Sequence, residues 1–218
     1  LGFQRECVGV KVIAGRQYFP ASGVINFFTT PGEVTAKVAP AINWACGQQI
    51  SRLFAVHDPI GIYRTVPALR YKHLFESTSC DKQETDLVIF LTSWPEESIG
   101  ILECVFAAPS DARKVFKNIF IKSHQSLRGN IRSQSEQQLP AMLEPGVSWS
   151  HSTTEQLLQT AKLVVTAGSS VALEAICCGI PVAVVGRLAG IGVNPLKSIN
   201  IGFWREAYGP ADFFAIST

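Results

Sequence analysis

The sequence is poor in charge and has no long apolar run, and both features restrict the class of protein to which it belongs. Only 17% of the 218 residues are charged, and the formal net charge is +2. With no long basic run, nucleic acid is not expected as a partner. At 47% hydrophobic residues the chain is too apolar for an intrinsically disordered protein. No apolar run reaches the roughly 20 residues that cross a bilayer, and Leu87–Leu91 and Val182–Val185 are of strand length.

Metal-binding and dinucleotide-binding signatures are also missing. The six cysteines include no Cys-x-x-Cys pair and no Cys/His metal spacing. Cys177 and Cys178 are predicted to be small, buried, reduced residues of a helix, which fits a reducing cytoplasm. No Gly-x-Gly-x-x-Gly motif follows a predicted strand, and this disfavours a dinucleotide-dependent reductase.

The segment Leu163–Val185, LVVTAGSSVALEAICCGIPVAVV, carries the strongest structural pattern. It predicts a buried strand, a small-residue turn at Gly168–Ser170, a helix that ends at Gly179, and a second strand after Pro181. The first amides of such a helix lack partners within it and lie at the positive end of its dipole, so the turn is a candidate phosphate site. The alternative is that the two serines only cap the helix.

Strand and helix patterns alternate after Asp86. Further strands are predicted at Leu87–Ser93, at NIFIK before His124 and at Val147–Ser150, and helices at Pro95 and, by a Ser152/Glu155 capping box, at Ser152. This order predicts an α/β fold with a doubly wound parallel sheet. Ser93, His124 and the Gly168–Ser170 turn then fall at strand carboxyl ends, where ligands of such sheets bind. Trp94 fits either a residue that lines a cleft or a residue that caps the core, and the core is the preferred interpretation.

Residues 1–80 show a less regular pattern. Phe27–Val34 carries a Pro-Gly turn, Ala41–Val56 fits either a helix or a strand followed by a loop, and His57–Ser77 resembles a connection between lobes. Asp58 precedes a proline and is interpreted as a turn residue rather than as the acid/base partner of His57. The polar stretch Glu76–Asp86 is the predicted boundary, which divides the chain into residues 1–80 and residues 81–218.

GSSVALEAICCGIPV resembles the nucleotide-binding stretch of GT-B glycosyltransferases, in which a small-residue turn is followed by a helical Glu and then Gly-x-Pro. The upstream IFIKSHQ is similar to the strand end found with a Ser-Ser motif in bacterial transferases of CMP-activated sugars, such as capsule Kdo transferases and sialyltransferases. Gln125 stands where that pattern has proline. The resemblance covers about residues 86–186. It implies a Rossmann-like nucleotide-sugar-binding lobe at 81–218, after a partial or reduced acceptor-side lobe at 1–80, because two lobes of about 150 residues each would exceed the chain.

The resemblance also implies a binding role for particular residues. Ser169 and Ser170, with the backbone amides that begin at Gly168, would hold the donor phosphate, and Glu174 would accept hydrogen bonds from the ribose hydroxyls. The remaining candidates for the nucleotide or its phosphate are His124, Lys122 and Arg187.

A structural or surface role without ligand contact also stays open for three of these residues. Glu174 also fits an ordinary surface helix residue, although its neighbours are apolar. His124 also fits a structural histidine, and Lys122 a solvated strand residue.

The implied activity is transfer of a sugar from a CMP- or UDP-linked donor to a hydroxyl of a glycan or lipid-linked acceptor in bacterial surface polysaccharide or glycoconjugate synthesis. The implied location is the cytoplasm, at the inner face of the membrane. No cofactor or metal is required, since the GT-A type Asp-x-Asp motif is missing. The catalytic residues are not identified; a carboxylate or imidazole of the first lobe would remove the acceptor proton.

Two alternatives to this activity stay open. One is another enzyme on the same scaffold, either a nucleotide-sugar 2-epimerase or a polyol-phosphate transferase. The other is a non-catalytic module that only binds the nucleotide.

Overall fold

The computed structural model describes residues 13–16, 29–67, 72, 74, 85–127, 130–187, 194–197 and 199–217. The chain divides into two compact units, Leu1–Glu76 and Ser77–Thr218. The sequence pattern places the boundary after residue 80, within the same polar stretch. The roles of the two parts as acceptor-side and nucleotide-binding lobes stay predictions.

The first unit contains a three-stranded parallel sheet in the order β1-β2-β3. Its elements along the chain are β1 (Ile13–Arg16), α1 (Pro31–Thr35), β2 (Ile42–Cys46), α2 (Gln48–His57) and β3 (Tyr63–Val66). Gly47 joins β2 to α2 with a φ of 87°, a conformation that favours glycine. Segment 41–56 is therefore a strand followed by a helix. The predicted alternative of a strand and a loop is right for the strand and wrong for the loop, and a helix throughout is wrong. β3 lies where a lobe connection was predicted.

Asp58 is a buried residue that closes a turn in the first unit. The side chain is 1% exposed, and its Oδ1 accepts hydrogen bonds from the amides of Ile60 and Gly61 at 3.2 and 2.9 Å. Its Oδ2 accepts from the Thr29 amide at 2.6 Å and from the Tyr63 hydroxyl. Burial raises the pKa of Asp58, but these hydrogen bonds outweigh it, so the pKa lies below its ordinary value. The interpretation of Asp58 as a turn residue is confirmed.

The second unit is built on a six-stranded parallel sheet. Its strands are β4 (Asp86–Phe90), β5 (Ile119–Lys122), β6 (Val147–Trp149), β7 (Ala161–Thr166), β8 (Val182–Val185) and β9 (Trp204–Ala207). Their order across the sheet is β6-β5-β4-β7-β8-β9. Numbered within the unit, this is the Rossmann order 3-2-1-4-5-6, and the predicted α/β fold with a doubly wound parallel sheet is confirmed.

Helices flank this sheet. They are α3 (Pro95–Phe106), α4 (Asp111–Lys114), α5 (Ile131–Gln138), α6 (Thr154–Leu158), α7 (Val171–Cys177) and α8 (Pro210–Ser217), with a 3-10 helix at Pro140–Leu143. As predicted, α3 begins with Pro95 and has acidic residues in its first turn. Gly179, at a φ of 74°, follows the end of α7, as expected for a residue that stops a helix.

The central strands are apolar on both faces because helices cover both faces of a doubly wound sheet. Every residue of β4 is buried. Leu87 and Ile89 of β4 join Leu163 and Val165 of β7 in one core cluster, to which α3 and α8 contribute. The intervening residues Val88 and Val164 are also fully buried. None of the helices in the part of the chain that the structure describes is long and apolar enough to cross a membrane.

Several element predictions need correction. The sequence did not predict β9 and α8; β9 reads WREA, with a charged residue at each of its two middle positions, so it forms no apolar run. The capping box of α6 is Thr153/Gln156 rather than Ser152/Glu155, because the same spacing recurs one residue later. β4 ends at Phe90, three residues before the predicted Ser93.

The cysteine pair at the end of α7 also differs from the prediction. Cys177 is exposed and Cys178 is half-buried, and both thiols are free. The expectation that both are buried is wrong, because the last turn of this short helix reaches solvent. The expected reduced state agrees with these free thiols.

Candidate functional site

The strand order places a topological switch point between β4 and β7. These are the first and fourth strands of the unit, and they are neighbours in the sheet. At this position the order along the chain reverses, and ligands of doubly wound sheets bind at such a point, beyond the carboxyl ends of the strands. The Thr166 hydroxyl, fully buried, donates to the Phe90 carbonyl at 3.0 Å and so fixes the two strand ends together.

The Gly168–Ser170 turn follows β7 at this switch point. Gly168 is exposed, and the two serines are half-buried. The Ser169 amide donates to the Ala167 carbonyl at 2.8 Å, and the Val171 amide makes a long contact of 3.4 Å with the Ser169 hydroxyl. The amides of Ala172 and Leu173 donate to the carbonyls of Ser169 and Ser170 at 3.2 and 3.0 Å. The first helix amides, those of residues 171 to 173, are therefore all engaged, and the expectation that they are free to hold a phosphate is wrong.

Two amides of the turn remain available. Among the described residues, the amides of Gly168 and Ser170 have no hydrogen-bond partner. Ser170 is the N-cap residue of α7, yet its side chain makes no capping hydrogen bond. The turn thus presents two amides and the Ser170 hydroxyl, and the capping hypothesis does not account for Ser170.

An ion pair joins the segments on either side of this turn. Arg187 follows β8 and Glu97 lies in the first turn of α3 after β4, and Arg187 Nε lies 3.7 Å from Glu97 Oε1. Since β7 lies between β4 and β8, the pair links the two segments that flank the end of β7. Arg187 is one of the candidates predicted from the sequence, whereas Glu97 is not.

Glu174 lies in α7, four residues after Ser170, and is half-buried. It interacts with another group of the chain. Burial, the Cys178 thiol and the Glu174 carboxylate together raise the pKa of the Cys177 thiol. The role of Glu174 towards a ribose stays a prediction.

His124 and Lys122 belong to a different part of the same edge. β5 lies beside β4 on the side away from β7, which separates the ends of β5 and β7 by about 10 Å. Lys122 Nζ donates to the Ser152 carbonyl at 2.5 Å, and Ser152 follows β6, farther still from β7. His124 is exposed, and its Nδ1 accepts a hydrogen bond from the Ser126 amide at 3.1 Å. A neutral ring therefore carries its proton on Nε2.

Trp94, which follows β4, is more exposed than the sequence predicts. Its side chain is 66% exposed, so the interpretation as a core residue is wrong. Trp94 is the N-cap residue of α3 and lies four residues beyond the carboxyl end of β4. Its place between a predicted strand and the helix-starting Pro95 could have indicated this position at the edge where ligands of doubly wound sheets bind. In the described part of the chain, no group of three or more His, Cys, Asp or Glu side chains could hold a metal ion.

A cleft of about 460 Å³ lies elsewhere in the unit. It is bounded by the residues that precede β8 and β9 and by α8, and includes Pro181, Phe203, Arg205 and Ile216. These residues lie mostly towards the amino ends of the strands, so the cleft does not include the Gly168–Ser170 turn.

No protein-family model and no curated protein matches the chain. Among solved structures, the chain is similar to KpsC of Thermosulfurimonas dismutans, a beta Kdo 2,4 transferase, with a TM-score of 0.36 and 14% sequence identity. The match covers 88% of this chain and 57% of that one, so this chain spans little more than half the length of that protein. A likeness of this size bears on neither activity nor substrate.

Proposed function

We propose that the second unit binds the nucleotide of an activated sugar at the switch point, and that the protein is a glycosyltransferase. The observation that carries this proposal is the strand order 3-2-1-4-5-6 with a small-residue turn after its fourth strand. Two free amides and a serine hydroxyl at such a turn suit the oxygens of a phosphate. The sequence resemblance of this stretch to GT-B transferases adds the sugar-transfer chemistry.

In this proposal the Gly168 and Ser170 amides and the serine hydroxyls hold the donor phosphate. Arg187 is exposed and only loosely paired with Glu97, so its guanidinium exchanges that partner for a phosphate oxygen at little cost. These donors stabilise the charge that builds on the departing nucleotide. The Glu174 carboxylate accepts hydrogen bonds from the ribose hydroxyls, and His124 contacts a part of the nucleotide that lies farther from the turn.

The remaining parts of the proposal concern the reaction partners. The donor is a CMP- or UDP-linked sugar, and the acceptor is a hydroxyl of a glycan or lipid-linked glycan of a bacterial surface polysaccharide. The acceptor base comes from the first unit. The reaction needs no metal or cofactor, and the protein works in the cytoplasm at the inner face of the membrane.

Nucleotide binding tests the site. CMP, CDP, UDP and GDP are titrated by calorimetry into the wild type and into Ser170→Ala, with Ser110→Ala as control, since both serines are N-cap residues without a side-chain capping bond. Loss of a hydrogen bond to a charged phosphate is expected to weaken binding about 10-fold or more in Ser170→Ala, with unchanged stability. Binding that is equal in both variants would remove the turn from the site.

Turnover then separates the candidate activities. The wild type is incubated with CMP- and UDP-linked sugars, with and without glycan acceptors, and nucleotide release and sugar products are measured by chromatography. A transferase releases nucleotide and forms a glycoside only with an acceptor. Release with an altered free sugar and no acceptor would indicate an epimerase, and binding without any turnover a non-catalytic module.

A further inference from the structure

Trp94 combines a fixed backbone with an uncovered side chain. Its amide and carbonyl both lie 3.4 Å from the Thr92 hydroxyl, and its carbonyl accepts a hydrogen bond from the Ser98 amide at 3.0 Å. Ser98 is itself fully buried, and its hydroxyl donates to the Thr92 carbonyl at 3.1 Å. The position of Trp94 is thus set by the start of α3, while 66% of the residue surface stays in solvent.

The other two tryptophans and the tyrosine of the second unit donate hydrogen bonds to groups of the protein itself. The indole N–H of Trp149 donates to Glu136 at 3.0 Å, and that of Trp204 donates to the Ile199 carbonyl at 2.7 Å. The Tyr208 hydroxyl donates to Glu206 at 2.6 Å. The Trp94 indole has no hydrogen-bond partner among the residues that the structure describes, and it does not join the core cluster.

Trp94 and the Gly168–Ser170 turn follow neighbouring strands of the sheet. Trp94 follows β4, and the turn follows β7, which pairs with β4; the two strands are about 5 Å apart. An aromatic face and a set of phosphate donors therefore stand beyond the same pair of strands. Nucleotides carry both complementary groups, because a base has a π face and the phosphate is an anion.

We propose that Trp94 stacks on the base of the nucleotide whose phosphate lies at the Gly168–Ser170 turn. The proposal rests on the function proposed above and adds the part of the ligand that the turn does not contact. Stacking tolerates any base, since every base has a π face. Trp94 therefore contributes affinity for the nucleotide, and the choice between cytosine and uracil is made by other groups.

The test compares ligands with and without a base. CMP, UMP and ribose 5-phosphate are titrated by calorimetry into the wild type, Trp94→Ala and Trp94→Phe, with Trp44→Ala as control, an exposed tryptophan of the first unit. Loss of one stacked base is expected to weaken CMP and UMP about 5- to 100-fold in Trp94→Ala. Trp94→Phe should recover most of the affinity, and ribose 5-phosphate should bind all four proteins alike.

The outcomes separate this inference from the proposed function. If the wild type binds no nucleotide, the proposed function fails and this inference with it. If nucleotides bind and Ser170→Ala weakens them, while Trp94→Ala binds CMP as the wild type does, only the inference is overturned. Equal weakening of CMP and ribose 5-phosphate would also overturn it, since it would assign Trp94 to the sugar. Circular dichroism confirms that the Trp94 variants keep their secondary structure.

Discussion

At the scale of single residues, a small cluster fixes the carboxyl ends of β8 and β9. The Tyr208 ring lies against Gly186, and a Cβ atom added to Gly186 would come within 2.5 Å of Tyr208 Cε1 and 2.9 Å of Cδ1. The Glu206 carboxylate accepts one hydrogen bond from the Tyr208 hydroxyl and a second from the side-chain amide of Asn194 at 2.7 Å. Gly186 directly precedes Arg187, so this cluster also sets where the proposed phosphate ligand begins.

Gly186→Ala is expected to destabilise the protein by about 1–3 kcal/mol, because the new methyl group overlaps a ring that is held in place. Gly100→Ala in α3 is the matched control, since nothing lies within 4 Å of its added Cβ; it should stabilise by about 0.5–1 kcal/mol. Urea unfolding measures both. A Gly186→Ala variant as stable as the wild type would show that the ring is not fixed.

The stability contributed by Glu206 is expected to depend on pH. Hydrogen bonds from Tyr208 and Asn194 hold the pKa of Glu206 below its ordinary value, with a smaller contribution from Lys197. A lowered folded-state pKa stabilises the protein above the unfolded value of about 4.3, and this stability is lost as the pH falls through the folded value.

Glu206→Gln tests this dependence because the amide cannot titrate. The variant is expected to be less stable than the wild type at pH 7, by about 1 kcal/mol, and the difference should shrink towards pH 3. The measurement is guanidinium unfolding at both pH values, with Glu103→Gln, an exposed glutamate of α3, as control. A difference that stays constant with pH would contradict the assignment.

At the scale of elements, α3 depends on a buried arginine at its end. Arg113 is 6% exposed, and its Nη1 donates to the carbonyls of Val105, Phe106 and Ala108 at 3.3, 3.3 and 2.8 Å. Its Nη2 donates to Glu144 at 3.2 Å. A cation that satisfies the last carbonyls of a helix also interacts favourably with the helix dipole. Trp94 is the N-cap residue of α3, and Arg113 lies beside the other end of this helix. The contact therefore anchors the helix that the proposed stacking residue precedes.

Arg113→Gln is expected to cost about 2–3 kcal/mol, because it leaves buried carbonyl groups without their charged donor. The neighbouring Lys114→Gln removes an ion pair with Asp111 whose side chains are 70% and 72% exposed, and it should leave stability almost unchanged. Thermal unfolding of the two variants provides the comparison. Similar melting temperatures for both would refute the anchoring role of Arg113.

At the scale of the whole molecule, the second unit has its own core and its own complete sheet. The core cluster joins β4, β5, β7, α3 and α8, all of which lie after residue 76. The proposed nucleotide site, from Trp94 to Arg187, also lies within this unit. Folding and nucleotide binding should therefore be separable from the first unit.

Residues 77–218 expressed alone are expected to unfold in one cooperative transition, with a free energy of unfolding in the usual range of about 5–15 kcal/mol. The fragment should bind CMP or UDP with the affinity of the full chain, and it should lack transfer activity if the acceptor base comes from the first unit. Urea unfolding and calorimetry measure these properties. A fragment without a cooperative transition would show that the second unit needs the first in order to fold.

The sequence by itself determined five strands of the second unit, β4 to β8, and three of its helices, α3, α6 and α7, but not β9, α4, α5 or α8. Apolar runs such as Leu87–Leu91 predicted β4, and Gly179 predicted the end of α7, because strands buried on both faces and left-handed helix ends leave local patterns. β9 was not predicted because a strand at the edge of a sheet keeps charged residues. The elements of the first unit were not predicted in detail because its sequence pattern is less regular.

Only the tertiary structure decided which of the candidate residues stand together. The placement of β7 beside β4 brings Trp94 and Gly168–Ser170 to the same switch point and leaves His124 on the far side of β4. Lys122 donates a hydrogen bond to the Ser152 carbonyl, and Arg187 pairs with Glu97. Both contacts join segments that are far apart along the chain. Local patterns record burial and turn geometry, whereas strand order and side-chain pairing depend on the packing of distant segments, which no single stretch of sequence encodes.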